Sequence, residues 1–207
     1  MLQRRVVKVG GSLLELPDLA IRLRRWQSAQ VPSQFIFIAG GGRLADAVRG
    51  YDEIHQLGAE QAHQLAVQAM SVTARLLAEL IGERPVISDW QVATRETTNV
   101  MILDVVDFLA TIEPSIAGAR LAHSWGATSD SIAARVAIAA SADELVLLKS
   151  RLAPQASTMP AASAAGLVDE CFPRVAASWT TVRVVNLRDD AFAEQRLIAM
   201  PEKSSDR

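Results

Sequence analysis

Two apolar runs that end in glycines set the frame for this chain. Residues 6–11, VVKVGG, and residues 34–42, QFIFIAGGG, pass from apolar side chains straight into bare backbone, and each is followed by residues at helical spacing. A near-continuous apolar run suits a strand covered on both faces, as in a parallel sheet with helices on either side. Ligands of such sheets lie beyond the carboxyl ends of the strands. Glycines at that edge let backbone amides approach anionic oxygens, and a helix start just behind them adds partial positive charge. Lys8, inside the first run, brings a cation to the same edge.

The rest of the chain continues the alternation. Leu16, Leu19, Ala20, Leu23 and Trp26 predict a helix over 16–27, and RLADAVRGYDEI predicts another over 43–54. The longest periodic segment, 58–81, places Ala62, Leu65, Ala66, Ala69, Met70, Thr73, Leu76, Leu77 and Leu80 on one face. RPVIS (84–88), NVMILDVV (99–106), DELVLLKS (143–150) and TVRVVNL (181–187) read as strands. TSDSIAARVAIAASA (128–142) reads as a helix with Thr128 or Ser129 as its cap. Residues 164–179 read as a short strand or turn plus a helix, and Trp90 and Trp125 as partly buried loop residues, with stacking on a ligand as the alternative. The expected architecture is an α/β fold, a three-layer αβα sandwich with a mainly parallel central sheet. It occupies one domain over residues 1–200, with a frayed tail at 201–207.

Composition removes several function classes. A net charge of -2 with no local basic cluster argues against nucleic acid. No run approaches the ~18 apolar residues of a membrane span, so no membrane partner is expected. Glycines and Glu15 interrupt the first apolar run, which does not read as a signal peptide. The single cysteine, Cys171, permits no internal disulfide framework, and no cysteine and histidine cluster has zinc spacing. No metal ligand is assigned, and a reducing, cytoplasmic setting is expected.

Lysine usage carries more than net charge. Among 21 basic residues only Lys8, Lys149 and Lys203 are lysine, and two of these lie in or just after strand-like runs. Either alone reads equally as a strand residue whose ammonium reaches solvent. Together they suggest a site, since a compact ammonium with rotatable donors can follow a moving phosphoryl group. No G-x-x-x-x-G-K-[ST] occurs, which argues against a P-loop NTPase. GGGRLA (40–45) fits G-x-G-x-x-A, but a dinucleotide fold needs a second strand and an acid about 20 residues on. Here the chain runs into the long helical segment instead.

VVKVGGSLL, FIFIAGGGRLAD, TSDSIAARVA and LVLLKS occur in an order that resembles the amino acid kinase family, which includes acetylglutamate, aspartate and uridylate kinases. GGGRLADAVR, AHQLAVQAM and HSWGATSDSIAA are similar to a short branch typified by the archaeal kinase of methanofuran biosynthesis, which converts (aminomethyl)furanylmethyl phosphate to the diphosphate. The resemblance spans roughly residues 4–187. It implies an αβα sandwich that transfers the γ-phosphoryl group of ATP, with Mg2+, to a small phosphate or carboxylate acceptor, a nucleoside monophosphate included. Mapped by motif, Lys8 would neutralise the transferring group. Gly10, Gly11, Ser12, Gly40, Gly41, Gly42, Thr128 and Ser129 would hold phosphates, and Lys149 would join Lys8. Asp130 would orient lysines or magnesium, the alternative being a first-turn carboxylate that satisfies free amides.

Asp46 would meet a substrate amine or merely favour a helix start, and His63 and His123 would line the acceptor pocket or serve packing and surface. Two departures stand out. The segment after Lys149, RLAPQASTMPAASAAGLVDE, is short and free of lysine, which implies a reduced nucleotide pocket. Gly126 stands where the branch motif carries an aspartate after tryptophan. The readings left by the sequence are a small-molecule kinase and a catalytically weak relative that binds a nucleotide or metabolite or supports a partner enzyme. The resemblance also implies a homo-oligomer.

Overall fold

The computed structural model describes residues 2–82, 84–95 and 98–199. Its strands are β1 (Gln3–Val9), β2 (Ser33–Ala39), β3 (Val86–Ile87), β4 (Val100–Leu103), β5 (Glu144–Lys149), β6 (Thr181–Asn186) and β7 (Glu194–Ile198). The helices are α1 (Leu19–Ser28), α2 (Gly42–His55), α3 (Ala59–Ile81), α4 (Trp90–Arg95), α5 (Val105–Asp107), α6 (Ser129–Ala139), α7 (Met159–Ala164) and α8 (Phe172–Val175). The sheet runs β3-β4-β2-β1-β5-β6-β7. All neighbours are parallel except β6 and β7.

Strand alternation explains both the apolar runs and the direction of the lysines. Val6 faces a core shared with Ile132, Ala133 and Val136 of α6. Val7 and Val9 face the opposite core, with Leu19, Leu23 and Trp26 of α1 and Leu77 of α3. Lys8 shares the parity of Val6. On β5, Leu145 and Leu147 face α6 while Val146 and Leu148 face α1, so Lys149 shares the parity of the α6 side. Covering both faces makes each fully buried Val or Leu worth ~1.5–3 kcal/mol relative to exposure, which is why period-2 polarity is missing from these strands.

Several boundaries differ from expectation for identifiable reasons. Pro17 forces Leu16 into an extended conformation, so a 3-10 turn at Gly11–Glu15 comes first and α1 starts at Leu19. The run 99–106 is a strand only to Leu103, because the Asp104 side chain accepts from the Val106 amide and caps α5. Phe108–Ile112 then forms a π-helical turn. Residues 164–179 hold no strand, only the end of α7 and the four-residue α8. Trp90 is a core residue rather than a loop one: it opens α4 and packs on Phe108 with ring centroids 4.9 Å apart. The hairpin strand β7 went unpredicted because only Leu197 of its five residues is buried. The expected tail at 201–207 lies outside the described residues.

The long helix α3 buries a stripe rotated from the expected one. Ala62, Ala69, Met70, Thr73 and Leu77 are buried as expected, but so are His63, Val67, Ser71, Ala74, Ala78 and Ile81. Leu65, Leu76 and Leu80 stand 46%, 44% and 40% exposed. Small residues let the helix axis approach its neighbours, and the larger leucines are left on the flank. Neighbouring α2 buries no residue at all.

Candidate active site

The centre of the site is an ion trio at the carboxyl edge of the sheet. Lys8 Nζ lies 2.9 Å from Asp130 Oδ1, and Lys149 Nζ lies 2.5 Å from Asp130 Oδ2. β1 and β5 are adjacent and in register, Lys8 opposite Leu147, so the two lysines leave neighbouring strands on one face. Asp130, in the first turn of α6, meets both. Lys8 and Asp130 are 5% and 3% exposed. Burial by itself would raise the Asp130 carboxyl, yet the two ammonium groups outweigh it and hold the value at about 2. Burial, joined by the Lys8 charge, pulls the Lys149 ammonium down to about 8 against the opposing pull of Asp130. One carboxylate thus serves two cations in a low-dielectric setting, and the direct trio retains an excess positive charge.

The glycine loops stand against each other in front of this trio. A Cβ on Gly11 would lie 2.3 Å from the Gly42 nitrogen, and one on Gly40 would lie 2.8 Å from the Gly11 nitrogen and 3.3 Å from Lys8 Cε. Gly42 has a φ of 53°, the left-handed region open to glycine. Not every glycine amide is available to an anion. Gly10 N–H donates to the Leu148 carbonyl and Gly40 N–H to the Val9 carbonyl, both extending the sheet ladder. Gly11 and Ser12 open the 3-10 turn and Gly42 opens α2, so their amides have no partner within their own helix. With Gly41 beside them they form the anion-accepting part.

Thr128 occupies the N-cap position of α6 as expected, but its side chain makes no capping hydrogen bond to the helix. The first-turn amides are met instead by Asp169, which the sequence reading missed. Its carboxylate accepts from Thr128 N, Thr128 Oγ1, Ser131 N and Ser131 Oγ at 2.5–3.1 Å, and also from Phe172 N at 3.0 Å. Burial and the neighbouring Asp130 charge raise the Asp169 carboxyl. Asp169 therefore fixes the turn that carries Asp130. The adjacent Glu170 places its Oε2 3.1 Å from where a Cβ of Gly126 would lie. No local spacing pointed to either acid, since both come from a loop distant in sequence.

A cavity of about 240 Å3 opens beside the glycine loops. Gly11, Ser12, Gly41 and Gly42 form one end, Thr128 and Ser129 adjoin it, and Val67, Met70 and Ile132 supply an apolar wall. Asp46 and Arg49, one turn apart on α2, both face it. Among the described residues neither makes an ion pair. The Arg49 guanidinium lies 4.7 Å from the Trp125 ring centre, and Trp125 Nε1 donates to Asp52 Oδ2 at 2.8 Å. Spacing alone could have found Arg49, three residues beyond Asp46. His63 lines this cavity and is buried rather than on a surface flank, whereas the half-exposed His123 lies behind it. Their rings stack with centroids 5.1 Å apart. Burial, then the His123 charge, lowers His63, which keeps it neutral near pH 7.

The free amides and the two ammonium groups suit anionic oxygens such as those of phosphates. Both Asp130 oxygens are held by lysines, and among the described residues no group of three or more His, Cys, Asp or Glu is placed to hold a metal ion. No helix among the described residues is long and apolar enough to cross a membrane.

Residues 3–151, well over half of the chain, match the amino acid kinase family. The chain belongs to that family. Comparison with curated proteins gives no match. Among solved structures, uridylate kinase from Archaeoglobus fulgidus is similar at 20% identity and a TM-score of 0.50, over 73% of this chain and 64% of that one. Aspartate kinase from Synechocystis is similar at 15% identity and a TM-score of 0.62, over 97% of this chain and 40% of that one. UMP kinase from Ureaplasma parvum is similar at 12% identity and a TM-score of 0.56, over 89% of each. At these identities the likeness is one of fold, and the chain spans less than two thirds of the first two proteins.

Proposed function

We propose that the chain is an ATP-dependent phosphotransferase acting on a small acceptor in the cavity between α2, α3 and α6. The observation that carries this is the buried trio of Lys8, Asp130 and Lys149 beside the free amides of the glycine loops. Phosphoryl transfer needs positioning and charge neutralisation more than covalent chemistry from the protein. An acceptor oxygen forms a bond to the γ-phosphorus while the bond to the bridging oxygen breaks, and its electron pair leaves with ADP. Lys8 and Lys149 balance charge on the moving group, and Asp130 holds both. Magnesium would enter on the nucleotide, supplying further charge neutralisation.

The acceptor we favour is (aminomethyl)furanylmethyl phosphate, within methanofuran-type one-carbon cofactor synthesis. Its ammonium suits Asp46, its phosphate suits Arg49 and the glycine amides, and its ring suits the Met70 and Trp125 walls. A second reading is a binding homologue without turnover. It is favoured by the segment after β5, which brings no further lysine and buries Ala156 and Met159 in the core.

Calorimetric titration with magnesium and a non-hydrolysable ATP analogue tests the proposal. We expect Lys8→Ala to bind at least about tenfold more weakly, a loss of ~1.4 kcal/mol. Unchanged affinity removes Lys8 from the site, and a wild type that ignores millimolar nucleotide favours the second reading. Phosphorus NMR of diphosphate formation then tests the acceptor.

We also propose a homo-oligomer formed through α2 and α3. Tyr51, Ile54, Val72 and Leu76 stand exposed on these two packed helices, which suits a covered face more than a wet one.

A further inference from the structure

A second cavity, of about 350 Å3, lies behind His63 and shares only His63 and Val67 with the acceptor cavity. We propose that this cavity is a separate binding site for a ligand carrying a primary ammonium on a flat apolar body. The site stands independently of the phosphotransferase reading.

Its walls are built. One is the π-helical turn Phe108–Ile112, which presents Leu109 and Ala110; such turns occur in short pieces, often at functional sites. Another is the loop after it, fixed by Arg135, a fully buried guanidinium. Arg135 donates to Glu113 Oε1 and to the carbonyls of Glu113, Ile116 and Ala117 at 2.8–3.1 Å. A buried charge pair costs desolvation free energy that an apolar pair would avoid. Here it holds Glu113, Pro114 and Leu121 around a space.

The charge inventory selects the ligand. The lining contains the carboxylates of Glu60 and Glu113, two imidazoles and the amides of Gln64 and Gln68, but no lysine or arginine. Glu113 is 4% exposed, and its Oε1 accepts from both Arg135 and the Leu121 amide, while Oε2 accepts from no group among the described residues. Glu60 at the half-exposed rim bonds His123 Nδ1 at 2.6 Å and accepts from Gln64. Glu113 Oε2 is thus an open acceptor among the described residues, and the stacked His63 and His123 rings offer a flat face flanked by the apolar Val106 and Leu109. An anion would face the Glu60 carboxylate and the Oε2 of Glu113, while the Arg135 guanidinium stands outside the lining and is spent on Glu113 Oε1 and the loop carbonyls.

The test uses benzylamine, its neutral analogue benzyl alcohol and benzoate as probes of the intact protein, read by NMR of the histidine ring signals. Benzylamine should bind near a millimolar, as suits a fragment of this size, and shift the signals of both histidines. The alcohol should bind at least about fivefold more weakly and benzoate not at all. Ala110→Trp, at an exposed position in the cavity lining, should abolish the shifts, and Glu60→Gln should bring the amine down to the alcohol's affinity. Unmoved histidine signals, equal binding of amine and alcohol, or unaltered binding in Ala110→Trp would overturn the proposal. Nucleotide titration of the same samples reads the glycine loops, so loss of one site is distinguishable from loss of the other.

Discussion

Replacing Lys149 by methionine should make the protein more stable while weakening its hold on phosphate. The Lys149 ammonium falls from its usual 10.5 to about 8 in the folded chain, a difference worth about 3 kcal/mol. The sign follows from proton counts. Between those two values the unfolded chain binds the proton and the folded chain does not, so stability rises with pH across that window. Below pH 8 both states are protonated, and the charged lysine costs the fold its full ~3 kcal/mol. Removing one partner of a buried pair ordinarily destabilises, but here Lys8 and Asp130 remain as a balanced pair. Methionine fills similar volume without charge. At pH 7 we expect a gain of up to about 3 kcal/mol, or a rise of about 6–12 °C in Tm for a chain of this length. By pH 10 wild type has lost most of the penalty, and the gain should shrink below about 1 kcal/mol. Urea unfolding of both proteins at pH 7 and pH 10 measures this. A variant that is less stable at pH 7, or equally shifted at both pH values, would refute the charge argument.

Gly11→Ala should cost about 2–3 kcal/mol and weaken nucleotide binding, because its Cβ meets backbone at 2.3 Å with no flexible side chain to yield. Gly50→Ala, whose Cβ meets nothing within 4 Å inside α2, should instead gain about 0.5–1 kcal/mol, and thermal melts compare the two. Asp169→Ala should lose about 2–4 kcal/mol and also weaken nucleotide binding, since the turn carrying Asp130 loses its cap; wild-type affinity by calorimetry would show that Asp130 holds its place unaided. Light scattering should give a multiple of the 22.3 kDa chain mass, reduced by Leu76→Glu; a monomeric wild type would exclude the α2 and α3 interface.

The elements legible in sequence were those whose local chemistry matches their place in the fold. β1, β2 and β5 carry unbroken apolar runs because helices cover both faces, and α6 reads clearly because nearly every one of its residues is buried or capped. The short strand β3 fell within its expected run, whereas α4 and β7 went unread because each buries only one or two residues, too few to set a period. On α3 the period was readable but its phase was not, since leucine and alanine both count as apolar while close packing prefers the smaller.

By itself the sequence determined the α/β architecture, the glycine edge and the two lysines, because those depend on strand period, backbone freedom and residue chemistry at fixed spacing. Tertiary structure alone decided which amides remain free, how one carboxylate serves two ammonium groups, and that Asp169 and Glu170 stand beside α6. Those facts depend on contacts between residues far apart along the chain, and local propensity carries no record of such contacts.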